Sequence, residues 1–223
     1  MRMNMYNPIT DIAVKILIPA RRNSKGIPFK NRKLFKYTAN IIPPEYRESV
    51  YVFTDDEVIK EKGRQYGFTN VDRNPSSASD EATTKYMMED FCSGLWGPSE
   101  NDPIVMLYLT YPHRRWDDVE RAIDLFTSYK LDSLLCRKGV KQTPYLMMFD
   151  VGNGTGEQVI KHNFSRRQDY RKCFEISHYI SIILPSELDA LNNDLYNEHT
   201  YFMEINETLD VDTQKDMECI LKS

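Results

Sequence analysis

Short apolar runs alternate with longer amphipathic stretches along almost all of the 223 residues. That alternation leaves few folds open. Residues 13–20 form a compact apolar run closed by Pro19-Ala20, the pattern of a strand covered on both faces. Runs at 49–54, 69–72, 103–109, 131–136, 179–184 and 201–205 read as further strands. Between them, Thr54-Asp55-Asp56-Glu57 has the form of a capping box opening a helix to Tyr66, which Gly67 can stop. Apolar residues at helical spacing predict helices over 81–95, 116–129 and 186–195, and a last helix follows Thr213. Strand, helix, strand in this rhythm predicts an α/β fold with a mostly parallel sheet flanked by helices. The rhythm breaks over 138–172, where Pro144 and Gly152-Asn153-Gly154-Thr155-Gly156 punctuate a strand-like run at 145–150. A hairpin-like arm is expected there, of the sort that makes dimer contacts.

Composition removes several classes of function. With 29 basic against 33 acidic residues the net charge is −4, so no nucleic-acid partner is expected, since such binders usually carry a basic domain. Cys92, Cys136, Cys173 and Cys219 are scattered with no CxxC pair, and the four histidines are equally dispersed. That spacing does not suit zinc, and it fits reduced, buried thiols in the cytoplasm. The first residues have no apolar signal region, and the longest apolar run, 16–20, is far short of the roughly 20 residues a membrane helix needs. A cytoplasmic protein without a membrane partner is expected, and its length suits one domain.

The chemistry is concentrated just after the first strand, in Ile18-Pro19-Ala20-Arg21-Arg22-Asn23-Ser24-Lys25-Gly26-Ile27-Pro28-Phe29-Lys30-Asn31. Ligands of parallel α/β sheets bind outside the carboxyl ends of the strands. A loop there with Arg21, Arg22, Lys25 and Lys30 suits a polyphosphate. It is neither the dinucleotide fingerprint nor a Walker loop. On charge alone a solvated basic turn reads as well; its place after a buried strand, in a net-negative chain, favours the anion site. Near the other end, Asp210 and Asp212 lie two apart after an apolar strand, so both would project from one face. Hard carboxylates so placed suit Mg²⁺. The alternative is a helix start, with Asp212 or Thr213 as the cap and Asp216 in the first turn.

The loop closely resembles the nucleotide-binding signature of the CMP-sugar synthetases, the N-acylneuraminate cytidylyltransferases and their deoxy-octulosonate relatives, which carry Ala-Arg-x-x-Ser-Lys-Gly-Ile/Leu-Pro-x-Lys-Asn. Every fixed position is present, from Ala20 to Asn31. Phe53-Thr54-Asp55-Asp56, Arg73 with Ala78-Ser79-Asp80 and Ala82-Thr83-Thr84, Leu109-Thr110-Tyr111-Pro112-His113-Arg114, and Leu209-Asp210-Val211-Asp212-Thr213 with Asp216 resemble later motifs of that family in order. The resemblance implies a Rossmann-like nucleotidyltransferase fold over 1–223, dimerising through the arm at 138–172. It also implies a Mg²⁺-dependent reaction in which the anomeric hydroxyl of an acidic keto-deoxy sugar takes CMP from CTP and expels pyrophosphate. Carried over, Arg21, Ser24, Lys25 and Lys30 hold the triphosphate. Ala20, Asn31, Arg73, Ala82 and Thr84 line the cytosine and ribose. Asp210 and Asp212 hold the metal, and Arg21, Lys30 and Asp212 carry the catalysis.

The departures cluster on the acceptor side. Tyr108 stands where the family commonly has Gln, Leu109 and Tyr111 replace its Pro and Ser, and Ser177-His178 replaces its Asn-Gly. Tyr108, Thr110 and Ser177 are therefore the acceptor-side candidates, and these departures point to a nonulosonic or deoxy-octulosonic acid other than N-acetylneuraminate. Arg166-Arg167 and Arg171-Lys172 read either as reaching a sugar carboxylate across a dimer or as a solvated arm. Other readings are a nucleotidyltransferase with a different acceptor or nucleotide, and a non-catalytic nucleotide-binding relative.

Overall fold

A computed structural model describes residues 13–24, 26–95, 102–206 and 208–222. Nine strands and five α-helices are described: β1 (Lys15–Pro19), α1 (Lys30–Ile41), β2 (Val50–Thr54), α2 (Glu57–Gln65), β3 (Thr69–Asp72), α3 (Thr84–Leu95), β4 (Ile104–Met106), α4 (Trp116–Ser128), β5 (Ser133–Gly139), β6 (Met148–Gly152), β7 (Thr155–Gln158), β8 (Phe174–Ile183), β9 (Tyr201–Glu204) and α5 (Gln214–Lys222). Seven strands form one sheet in the order β3-β2-β1-β4-β8-β5-β9. The β3-β2-β1-β4 half is parallel throughout, with Ile16 opposite Val50 and Ile16 opposite Val105. The long β8 runs antiparallel to both β4 and β5, and β9 is parallel to β5. The α/β, mostly parallel, Rossmann-like expectation holds with that one reversed strand.

β1 shows why the sheet is covered on both sides. Successive side chains of a strand point to opposite faces. Ile16 and Ile18 enter one apolar core with Leu34 and Phe35 of α1, Ile59 of α2, Val119 and Phe126 of α4 and Met217 of α5. Leu17 enters the other with Met87, Met88 and Phe91 of α3. Phe91 meets Phe53 edge-to-face at 5.4 Å.

Three local expectations are corrected. The first is the cap of α2, which is Asp56 rather than Thr54: its carboxylate accepts the Val58 N–H. The Thr54 hydroxyl is instead directed at the Ala20 carbonyl and accepts the Asp56 N–H at 3.1 Å, tying β2 to the end of β1. Second, the helix expected over 186–195 is only a 3-10 segment, Pro185–Ala190. Third, residues 208–212 carry no strand, so Asp210 and Asp212 do not share a strand face. The sequence pattern marks no helix between 30 and 48, where the twelve-residue α1 stands. Its start carries no side-chain cap and follows Phe29 in the left-handed region at φ 54°, so the usual capping signal is missing.

Asp56 also pairs with Arg32 at 2.7 Å and is almost fully buried. Burial alone would push its carboxyl up, but the Arg32 hydrogen bonds and the Val58 N–H outweigh it and hold the group below the usual carboxylate range. Asp56→Ala removes a cap and a charge-assisted pair together, and should destabilise the fold by about 2 kcal/mol in chemical denaturation. Because the carboxyl is depressed in the folded state, its contribution is present above the unfolded carboxylate range and is lost as pH falls through the folded value. The gap between mutant and wild type should therefore close in acid.

β6 and β7 form a separate antiparallel hairpin. Asn153 and Gly154 both have positive φ, 53° and 73°, as a two-residue type I′ turn requires. The excursion expected over 138–172 is thus a real hairpin. It is anchored by Tyr145, whose ring stacks on Tyr170 at 4.8 Å.

Candidate active site

The carboxyl ends of β1 and β4 open into a cleft of about 360 Å³. Arg21, Ser24, Lys30, Asn31, Arg73, Ala82, Thr84, Tyr108, Thr110 and Asp212 all line it. Residues from five separate stretches of sequence therefore meet in one place, as the strand-end argument requires.

The loop after β1 is fixed through its backbone. Ala20 is fully buried and off the cleft wall, its N–H donating to the Phe53 carbonyl at 2.9 Å. The Asn31 amide donates to the Arg21 carbonyl at 2.8 Å, and the Arg22 N–H donates to Asp55 at 2.6 Å. The side chains stay with the cleft. Arg21 reaches Asp80 at 2.8 Å and the Ser79 carbonyl at 2.9 Å. Lys30 donates to the Val211 carbonyl at 2.7 Å and lies 3.5 Å from Asp212, joining the start of α1 to the segment before α5. Lys25 lies outside the described residues.

Arg73 forms the inner wall. It donates to the Ser77 carbonyl, lies 5.6 Å from the Phe53 ring centroid, and has a buried Nε without a hydrogen-bond partner. Burial pulls its guanidinium below the ordinary arginine value, although it remains a cation at neutral pH. The Tyr108 hydroxyl meets the Thr84 hydroxyl at 3.3 Å, and its ring meets His178 edge-to-face at 5.8 Å.

Ser177 departs from the acceptor-side expectation. It is buried away from the cleft wall, and its hydroxyl donates to that of Tyr111 at 3.3 Å. Tyr111 in turn reaches the Asp210 carboxylate, as does Thr110. Ser177 thus stands two hydrogen bonds behind Asp210.

Asp210 and Asp212 differ sharply. Asp212 is an exposed carboxylate on the cleft rim, its side chain 71% accessible. Asp210 is held in by Thr110 and Tyr111, yet its Oδ1 is buried with no hydrogen-bond partner. Burial, with the neighbouring Asp212 charge adding to it, holds the Asp210 carboxyl above the usual range. A buried, unsatisfied oxygen costs free energy unless something satisfies it. Two hard carboxylates at a basic cleft fit a magnesium ion, which typically takes one or two carboxylates and completes its shell with substrate phosphates and water. Among the described residues no group of three or more His, Cys, Asp or Glu is placed to hold a metal by itself. Asp216 takes the capping role. Its carboxylate accepts from the Thr213 N–H at 2.8 Å while the Thr213 hydroxyl accepts the Asp216 N–H at 3.3 Å, so the helix-start reading holds for Thr213 and Asp216 and leaves Asp212 free to face the cleft.

Several contributors were not assigned roles from sequence. Ser79, Asp80, Thr83, Met87 and Leu109 also line the cleft. Arg114 is 2% exposed and donates to the Tyr108 carbonyl at 2.7 Å and the Tyr179 carbonyl at 2.8 Å, holding the floor from below. Its position in the 109–114 motif was the available signal.

No protein-family model matches the chain. An N-acylneuraminate cytidylyltransferase of Streptococcus agalactiae serotype V is 26% identical over 212 residues, covering 90% of this chain and 50% of that protein; the chain thus spans about half the length of that relative. The post-translational flagellin modification protein B of Campylobacter coli is 25% identical over 199 residues, covering 87% of this chain and 79% of that protein. Among solved structures, a CMP:2-keto-3-deoxy-manno-octonic acid synthetase complexed with CTP superposes with a TM-score of 0.65 at 15% identity, covering 93% of this chain and 96% of that one. That superposition shows a common fold. In sequence along nine-tenths of its length, and in fold, the chain is similar to the CMP-sugar synthetases.

Proposed function

We propose that the cleft binds CTP and transfers CMP to the anomeric hydroxyl of an acidic keto-deoxy sugar, releasing pyrophosphate. The observation that carries this reading is the meeting of Arg21, Lys30 and Arg73 in one cleft with Asp212 on its rim and Asp210 behind it. Nucleotidyl transfer depends chiefly on positioning and on neutralising phosphate charge. The acceptor oxygen attacks the α-phosphorus, the bond to the oxygen bridging the β-phosphate breaks, and that oxygen leaves with the pyrophosphate. Arg21 and Lys30 line the cleft, and they neutralise the charge that grows on the leaving group. Arg73, Ala82 and Thr84 hold the nucleoside end. The proton lost from the acceptor hydroxyl has the exposed Asp212 carboxylate and open water to receive it. Asp210 and Asp212 would hold Mg²⁺, which when bound supplies Lewis-acid polarisation of phosphate oxygens.

The acceptor class follows from the relatives' names and from the altered acceptor side. With Tyr108 packed against His178 where hydrogen-bonding groups are common in the family, the preferred acid is a nonulosonic or octulosonic acid other than N-acetylneuraminate, since sites discriminate sharply by the polar groups they satisfy. Pyrophosphate release from CTP and Mg²⁺, followed over a panel of such acids, tests this. Release with one of them supports the reading, and release with none at any concentration refutes it.

The arm supports a homodimer. Met148, Phe149, Val151 and Phe164 are 69%, 59%, 58% and 48% exposed, a run of apolar surface that soluble monomers seldom leave bare. Phe149→Asp should take the light-scattering mass from two chains to one; a wild-type protein already at the mass of one chain refutes the dimer. The four cysteines are free, as a reducing, cytoplasmic setting requires, but only Cys136 is buried, and Cys219 is exposed, against the expectation of buried thiols.

A further inference from the structure

We infer that Asp80 is a displaceable anion that occupies the phosphate position on Arg21 while the site is empty, and that its exchange for phosphate links nucleotide binding to the wall of the cleft. The inference rests on the nucleotide reading above.

The main chain around Arg21 has no freedom to choose its partners. Its carbonyl is taken by Asn31, the next N–H by Asp55, and the preceding N–H by Phe53. Only the side chain can change hands. Its guanidinium is directed at one short turn, to the Asp80 carboxylate at 2.8 Å, the Ser79 carbonyl at 2.9 Å and the Ala78 carbonyl at 3.4 Å.

That turn is held at both ends by α3, through Asp90 on one side and through Thr83, whose carbonyl and hydroxyl accept the Met87 and Tyr86 N–H groups, on the other. Asn74 and Ser77 are both bound to Asp90 on α3, and the Ala78 N–H returns to the Asn74 carbonyl at 3.0 Å. Beyond Ser79, residues Asp80, Glu81 and Ala82 make no hydrogen bond to the rest of the fold, among the described residues, other than the Asp80–Arg21 pair. The Asp80 side chain is 55% exposed and faces water, whereas that of Arg21 is 26% exposed. A carboxylate in that position leaves easily. A phosphate oxygen, with more charge and more acceptor sites, is a better partner for the same guanidinium.

Arrival of phosphate therefore frees 80–82, and Asp80 and Ala82 are themselves part of the cleft wall. Departure of pyrophosphate lets Asp80 return to Arg21, so the same carboxylate that competes with substrate assists product release.

The experiment is calorimetric binding of inorganic pyrophosphate, with and without Mg²⁺, to wild type, Asp80→Asn and Asp80→Ala. Loss of a half-exposed ion pair corresponds to about a five-fold change in a binding constant. Both variants should bind pyrophosphate about five-fold tighter, and in turnover assays pyrophosphate should inhibit them at correspondingly lower concentration. Equal affinity in wild type and variants overturns the latch alone and leaves the nucleotide reading standing. Weaker binding in the variants, confined to the Mg²⁺ titrations, overturns it by making Asp80 a metal ligand. Absence of pyrophosphate binding in all three folded proteins overturns the phosphate reading, and the latch with it.

Discussion

Asp210→Asn should lower turnover about a hundredfold, the scale of losing one transition-state electrostatic contact, while leaving the fold as stable as wild type or more so. The two halves of this result come from one observation. The Asp210 carboxyl is buried with an unpartnered Oδ1, and burial raises it above the usual carboxylate range. Charge at this position is thus a cost to the folded state. A carboxyl raised on folding binds its proton more tightly folded than unfolded, so stability falls as pH rises from the unfolded carboxylate range through the raised value, and stays at that lower level above it. Asparagine keeps the shape and removes the charge. In chelator-treated protein, thermal denaturation across that pH window should show the decline in wild type and its absence in Asp210→Asn. A mutant with reduced stability at neutral pH and undiminished turnover would mean that Asp210 is structural. Asp212→Asn supplies the contrast. Its side chain is exposed on the rim and Asp210 stays in place, so turnover should fall while the wild-type decline of stability with pH is kept.

Arg21→Ala should also cost about a hundredfold or more, and the loss should fall on kcat as well as on kcat/KM. Arg21 lines the cleft with its main chain anchored from both sides, so removing the side chain leaves the loop in place and takes away a cation. Where the arginine acts only in holding the triphosphate, KM rises and kcat is unchanged; where it stabilises the leaving group, kcat falls. Circular dichroism should show an unchanged fold, because Asn31 and Asp55 bind backbone atoms that survive the substitution. An unchanged kcat with a raised KM would remove Arg21 from the catalytic group and return it to uniform binding.

The parts of this molecule that were legible from sequence are those where one physical signal dominates. β1 and β3 could be read because an apolar run bounded by Pro19, and a short extended run between Gly67 and Arg73, have few other uses. The cleft was legible for the same reason: a basic loop directly after a buried strand has its place dictated by sheet geometry. The misreadings occurred where two local options compete. Thr54 and Asp56 can both cap α2, and the choice depends on Arg32, which lies far away in sequence. α1 has no capping residue because its first turn leaves a left-handed Phe29. Ser177 was expected to face a ligand, but its hydroxyl is taken by Tyr111 of the loop after β4, and no local pattern foretells that pairing. Asp80 could be quoted as a motif residue, yet only the folded turn shows its carboxylate on Arg21.

The most direct test of the central claim is calorimetric titration of the protein with CTP in the presence of Mg²⁺, set beside ATP, GTP and UTP, because it requires no knowledge of the acceptor. On the proposed reading, in which Arg73, Ala82 and Thr84 hold the nucleoside, the cleft should bind CTP at least about tenfold more tightly than the other three, a difference of about 1.4 kcal/mol. Equal binding of all four, or binding of none, would contradict a cytidine-selective site.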